Sequence, residues 1–186
     1  MPNPNPALPQ KQVINVEVAS VPARDVDVLG VQANYDHLPL GLRNMILRAE
    51  SATEILADKI VALGARKFLK SRDVWDIKFL TDRGLQIRYD LIRAKLQDYQ
   101  LDADTFSDSL RARAEQLQSP AAADAFRKEM LRFVDPHQAE MLAGTSGAVG
   151  GFLQRSAEAA RMAAKEISPG ARPAIAAAET ETPRPG

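Results

Sequence analysis

The chain has no cysteine, two histidines and a single tryptophan. Without cysteine there are no disulfides and no thiolate metal sites. His37 and His137 lie far apart in sequence, which argues against a zinc centre. Neither sign of charge is in excess: 24 Lys and Arg residues balance 24 Asp and Glu. No global field therefore draws the whole molecule to nucleic acid or to an anionic membrane. No apolar run approaches the roughly 20 residues that a membrane-crossing helix needs. The start, Met1 to Pro6, alternates Pro and Asn and lacks the basic lead and apolar centre of a signal peptide. These absences predict a cytoplasmic protein with no membrane anchor. A length of 186 residues suffices for one domain with its own core.

What is present is mostly helical pattern. Residues 1–11 are Pro- and Asn-rich and predict disorder. Val13 to Ala19 alternates in the manner of a strand, and Asp27 to Gln32 is a weaker candidate to pair with it. From about residue 40 the pattern predicts helices. Ser51 and Glu54 have the spacing of a capping box that opens the first strong helix. Ser71 is expected to cap a second helix, which Gly84 ends. Further helices are predicted over 85–99, 104–117, 120–134 and 136–142. Ser119-Pro120 and Asp135-Pro136 act as start signals for the last two. Gly144 to Gly151 reads as a flexible break, 152–167 as a weak Ala-rich helix, and the remainder as a disordered tail. The fold class expected is α+β, predominantly helical.

Two charges stand where apolar residues are expected. Ala52, Ile55, Leu56, Ile60 and Leu63 follow one helix face, and Lys59 lies within it. Asp73 shares a face with Ile77 and Leu80. Charges on apolar faces are costly unless paired or used. Arg66, Lys67, Lys70 and Arg72 follow Lys59 with no acidic residue before Asp73. Such a run forms a local basic cradle ending in a carboxylate. Lysine and arginine suit phosphate oxygens, and a neighbouring carboxylate suits magnesium or the orientation of the basic groups. One reading is a nucleoside triphosphate site; the other is a helix pair in which Lys59 and Asp73 or Asp76 satisfy each other.

The polar positions here are unevenly spaced, which amphipathicity alone does not generate. Glu54, Lys59, Ala62, Leu63 and Arg66 fit E-x-x-x-x-K-x-x-A-L-x-x-R, and Arg72, Asp73 and Asp76 fit R-D-h-x-D, h being apolar. In these features the chain resembles the AbiEii/AbiGii-type nucleotidyltransferases, toxins of type IV toxin–antitoxin and abortive-infection (phage-defence) systems. The resemblance spans roughly residues 12–143. It implies transfer of a nucleotide monophosphate from a nucleoside triphosphate (NTP), with Mg2+, to an acceptor such as RNA, and a cognate antitoxin as partner. By resemblance, Lys59, Arg66 and Arg72 would contact phosphates, and Asp73 would orient the lysine or activate the acceptor hydroxyl. Asp76 would support the arginines, and Glu17 would be a third acidic residue near the metal.

The same resemblance exposes a departure. The family's glycine loop, followed about ten residues later by paired metal-holding carboxylates, has no counterpart before Val13. Asp25-Val-Asp27 lacks the loop and reads as a turn or strand-edge feature; Gly150-Gly151 reads as linker. The expectation is therefore a truncated transferase, or one completed by a separately encoded front half. Its fold would be a remnant of the transferase sheet, one or two strands over residues 12–38. An irregular bundle of about six helices would follow over 39–143, then a mostly disordered tail over 144–186. The alternative is a non-catalytic helical interaction module that binds an antitoxin or the missing half, with an open strand edge as its docking surface.

Among the remaining residues, Trp75 is expected to be a partly buried anchor rather than a base-stacking platform. Arg72 is expected to pair with Asp76. Phe126, Met130, Phe133 and Val134 read as a core stripe, and Arg111, Arg113, Lys128 and Arg132 as solvated surface. His137 is expected to be exposed.

Overall fold

The computed structural model describes residues 20–30, 45–144 and 146–168. Two strands, β1 (Val26–Gly30) and β2 (Ile46–Glu50), pair antiparallel, with Val26 opposite Glu50 and Gly30 opposite Ile46. Seven helices follow among the described residues: α1 (Ala52–Ala65), α2 (Ser71–Asp82), α3 (Tyr89–Asp98), α4 (Ala103–Gln116), α5 (Pro120–Met130), α6 (Pro136–Gly144) and α7 (Ser146–Ile167). The architecture is α+β and mostly helical, as the sequence pattern predicts. The predicted strand Val13 to Ala19 lies outside the described residues.

Several local expectations change. Ile46–Glu50, within the stretch expected to be helical, is a strand. Apolar residues fall on both of its faces, Ile46 on one and Leu47 and Ala49 on the other. Pairing with β1 satisfies its backbone groups. Ser71 is not the cap of α2 but its first residue; its N–H donates to Glu129 Oε2 at 3.3 Å, while Lys70 takes the cap position without a side-chain bond. The helix expected over 152–167 is present, but residues 146–151 are not a break: they join it in the 22-residue helix α7, inside the region expected to be mostly disordered from 144. Its small residues allow close approach, and its contact with α4 is the most extensive between helices.

Burial explains why α7 is ordered. Val149, Leu153, Ala157, Ala160, Ala163 and Ala164 are all buried in the same core as Leu56, Ile60, Val74, Ile77, Ile92 and Leu110. Ser156 Oγ donates to the carbonyl of Val74 at 3.1 Å. Trp75 and Phe152 stack with ring centroids 4.5 Å apart, and Phe126 closes on Phe152 at 5.3 Å, joining α2, α5 and α7. Trp75 is thus a partly buried anchor. Phe133 departs from its predicted core role: it is 55% exposed and carries the Arg72 guanidinium over its ring.

The sheet sits differently. Val28, Leu29, Ile46 and Leu47 are all exposed. The register puts Leu29 and Leu47 on one face and Val28 and Ile46 on the other, so both faces present apolar side chains.

Candidate functional site

The site is built on the α1–α2 pair. Ser51 Oγ accepts the N–H of Glu54 at 3.0 Å and fixes the start of α1. The far end of α1 is held by α4. Ser109 Oγ donates to the carbonyl of Gly64 at 2.6 Å, and Arg113 donates to the carbonyls of Leu63 at 3.1 Å and Arg66 at 2.7 Å. Carbonyls that a helix end leaves unpaired are thereby satisfied. Arg113 is half-buried in this role, not solvated surface as its charged neighbourhood predicts. Gly64 permits the approach: a Cβ there would lie 2.5 Å from Phe106 and 3.0 Å from Leu110.

From this braced end the chain turns through Lys67 to Lys70 into α2. Asp73 falls in the first turn of α2, where the helix dipole favours a carboxylate. Its side chain is 5% exposed. Lys59 Nζ lies 3.2 Å from Asp73 Oδ1 and 2.6 Å from Asp76 Oδ2. Arg66 Nη1 pairs with Asp73 Oδ2. Burial opposes the charge on Lys59, but Asp76 and then Asp73 outweigh it and hold the ammonium above its ordinary pKa. Lys59 is a fixed cation, not a base.

These groups line a cleft of about 530 Å³ together with Lys70 and Arg72. Four cations meet two carboxylates there. Both carboxylates are already engaged by Lys59, and Asp73 also by Arg66, so positive charge is left over at the cleft surface. The structure brings Lys59, Arg66, Asp73 and Asp76 together, with Asp76 on Lys59 rather than supporting the arginines. Arg72 lines the cleft without the expected pairing: Asp76 takes Lys59 instead, and Arg72 lies 5.0 Å from the Phe133 ring centroid. Glu17 lies outside the described residues. Among the described residues no group of three His, Cys, Asp or Glu side chains is placed to hold a metal ion. Asp25 and Asp27 act locally: Asp25 Oδ2 accepts from Ser51 Oγ at 2.8 Å, and Asp27 is exposed on β1.

Sequence reasoning missed a second charged centre behind the first. Lys95 of α3 is 3% exposed and reaches Glu54 at 2.7 Å, Asp58 at 2.6 Å and Glu50 at 3.2 Å. Glu54, one of the motif residues, is wholly buried and also accepts the backbone N–H groups of Arg24 and Asp25. It ties the approach to β1 onto α1. The signal was available: Lys95 follows Leu91 by four residues on the apolar face of α3, the same pattern that singles out Lys59.

Residues 7–155 match the family described as Nucleotidyl transferase AbiEii toxin, Type IV TA system. The chain belongs to that family. No match was found among curated proteins or among solved structures. Membership of this AbiEii family places the chain with nucleotidyltransferase-type toxins and implies a cognate antitoxin. No helix among the described residues is long and apolar enough to cross a membrane.

Proposed function

We propose that the Lys59–Arg66–Asp73 cleft holds the triphosphate of an NTP whose nucleotidyl group is transferred to an acceptor such as RNA. The observation that carries this reading is the buried Asp73 carboxylate under two cations, Lys59 and Arg66, at the wall of a cleft with two further cations. The ion pairs of Asp73 and Asp76 use only Lys59 and Arg66, and Lys70 and Arg72 line the same cleft beyond that pairing. Here Asp73 works as an orienter. It fixes the ammonium and the guanidinium, whose remaining N–H donors are free to meet phosphate oxygens. Fixed donors stabilise developing charge without reorganising during the reaction.

Magnesium enters this proposal only with the nucleotide. Asp73 and Asp76 are the carboxylates at the cleft, and an ion held by them and the phosphates would neutralise phosphate charge there. The share of the reaction assigned to these residues is binding and orienting phosphate.

The test is direct. Purified protein is incubated with labelled NTPs, magnesium and bulk RNA. Labelled RNA that disappears with Lys59→Ala, in a variant that stays folded, supports the assignment. Equal labelling by wild type and variant overturns it. A second reading is supported by the sheet, whose exposed Val28, Leu29, Ile46 and Leu47 suit a protein partner such as the antitoxin. Under that reading RNA is not labelled, and Lys59→Ala leaves partner binding intact.

A further inference from the structure

A second concavity of about 430 Å³ lies on α1 beside the phosphate cleft, and Arg66 forms a wall of both. Its size falls in the range of small-molecule sites, roughly 300–1,000 Å³. Along α1 it runs from Asp58 past Val61, Ala62 and Ala65 to Arg66, positions spaced as one helix face. Tyr99 and Leu101, from the link between α3 and α4, form the opposite side. We infer that this groove takes the nucleoside of the nucleotide whose phosphates occupy the Lys59 cleft. The inference rests on the phosphate reading of that cleft and adds the base and sugar subsite.

Three features fit that occupant. First, Val61, Ala62, Ala65 and Leu101 make an aliphatic lining, and the Tyr99 ring, 47% exposed, offers a surface on which a base stacks. Second, the polar groups lie at the ends. Asp58 to Arg66 is eight residues of helix, about 12 Å along the axis. The two ends are thus separated enough for one to meet a base edge while the other meets the phosphates. Third, the ends carry the right signs. Arg66 at one end is cationic and continues into the phosphate cleft. Asp58 at the other is a carboxylate pinned by Lys95 Nζ at 2.6 Å, an acceptor held ready for a base amino group. A simple hydrophobic docking groove has no need of opposite charges at its two ends.

Titration calorimetry compares ATP with inorganic tripolyphosphate, which carries the phosphates alone. Wild type is expected to bind ATP about tenfold more tightly than tripolyphosphate, since stacking of one base contributes that much. Ala65→Trp fills the groove from an exposed position and is expected to reduce ATP binding to the tripolyphosphate level, with tripolyphosphate binding unchanged. Tyr99→Ala, also at an exposed position, removes the stacking face and is expected to weaken ATP several-fold, again leaving tripolyphosphate alone. Equal wild-type affinities for ATP and tripolyphosphate, or an ATP advantage untouched by both variants, overturn the nucleoside subsite and leave the phosphate cleft standing. Binding of neither compound overturns both.

Discussion

Lys95 on α3 meets Glu54 on α1 at 2.7 Å, with the two side chains 3% and 0% exposed. Around that pair stand Glu50 at the end of β2 and Asp58 one turn further along α1. One ammonium therefore faces three carboxylates and joins sheet, first helix and third helix at one point. Burial pushes the Glu54 carboxyl up, but Lys95 and the N–H groups of Asp25 and Arg24 outweigh it and leave it below its ordinary value. Lys95 itself is held above its ordinary value, because Asp58, Glu54 and Glu50 together outweigh its burial.

Lys95→Met should be among the most damaging single changes in the chain. It keeps most of the buried stem but leaves Glu54 charged, buried and facing two other carboxylates. Breaking a buried pair from one side costs about 3–5 kcal/mol. Urea unfolding of wild type and variant measures it. Glu54→Gln, which keeps an acceptor for Arg24 and Asp25, is expected to cost less. A Lys95→Met variant within about 0.5 kcal/mol of wild type, the range of an ordinary surface change, would show that the cluster is not a structural centre.

Glu50 makes stability depend on pH near neutrality. Burial, then its hydrogen bond and charge repulsion with Asp58, push its carboxyl from an ordinary 4.5 up to about 7, against the pull of Lys95. The folded state thus binds this proton more tightly than the unfolded state. Its stabilising contribution is complete below about pH 4.5 and is lost as pH rises through 7. Glu54 has the opposite sign, and its contribution is lost only as pH falls through its depressed value. Unfolding free energies taken between pH 5.5 and 8 should fall as pH rises in wild type and respond less in Glu50→Gln. An identical pH response in both would assign the dependence to other groups.

The main helices and the Lys59–Asp73 convergence were legible in the sequence because each leaves a local mark. Ser51, Ser119 and Asp135 stand at cap positions, and their side chains accept the expected N–H three residues on. A charge on an apolar face announces a partner, and Lys59 finds two. What was not legible depends on distant packing. Only 152–167 of α7 was legible as a helix; its first turns read as a glycine-rich break, and Val149 within them is ordered by burial in the shared core. Arg113 carries no local sign that it serves the end of α1, since its acceptors lie about fifty residues away. The strand at Ile46–Glu50 is short, and its partner precedes it by an interval the sequence does not specify.

Gly64 tests whether close helix approach positions the site. Alanine gains about 1 kcal/mol of helix propensity over glycine. Its Cβ, however, would stand 2.5 Å from a Phe106 ring carbon and 3.0 Å from Leu110, both buried. Overpacking costs about 1–3 kcal/mol, so Gly64→Ala should be neutral to destabilising, and Gly64→Val clearly destabilising. Both should weaken tripolyphosphate binding, because Arg66 sits two residues beyond the point pushed outward. Thermal unfolding and calorimetry read the two effects separately. A stabilised Gly64→Ala protein would mean that α1 and α4 have room to spare.

Asp73→Asn separates holding phosphate from orienting the groups that hold it. The amide keeps the shape and one acceptor oxygen but removes the charge that fixes Lys59 and Arg66. Lys59 retains Asp76 at 2.6 Å, so the helix pair should survive with a loss of about 1–2 kcal/mol. Removing a negative charge from the cleft leaves four cations against one carboxylate. Tripolyphosphate should then bind as well as in wild type or a few-fold more tightly. RNA labelling, if Asp73 orients the reacting groups, should drop by about 100-fold, the scale set by losing one preorganised contact. Lys59→Ala differs by lowering both readouts. If Asp73→Asn instead weakened phosphate binding and left labelling per bound nucleotide unchanged, the carboxylate would be a structural support for the cleft and its orienting role would be withdrawn.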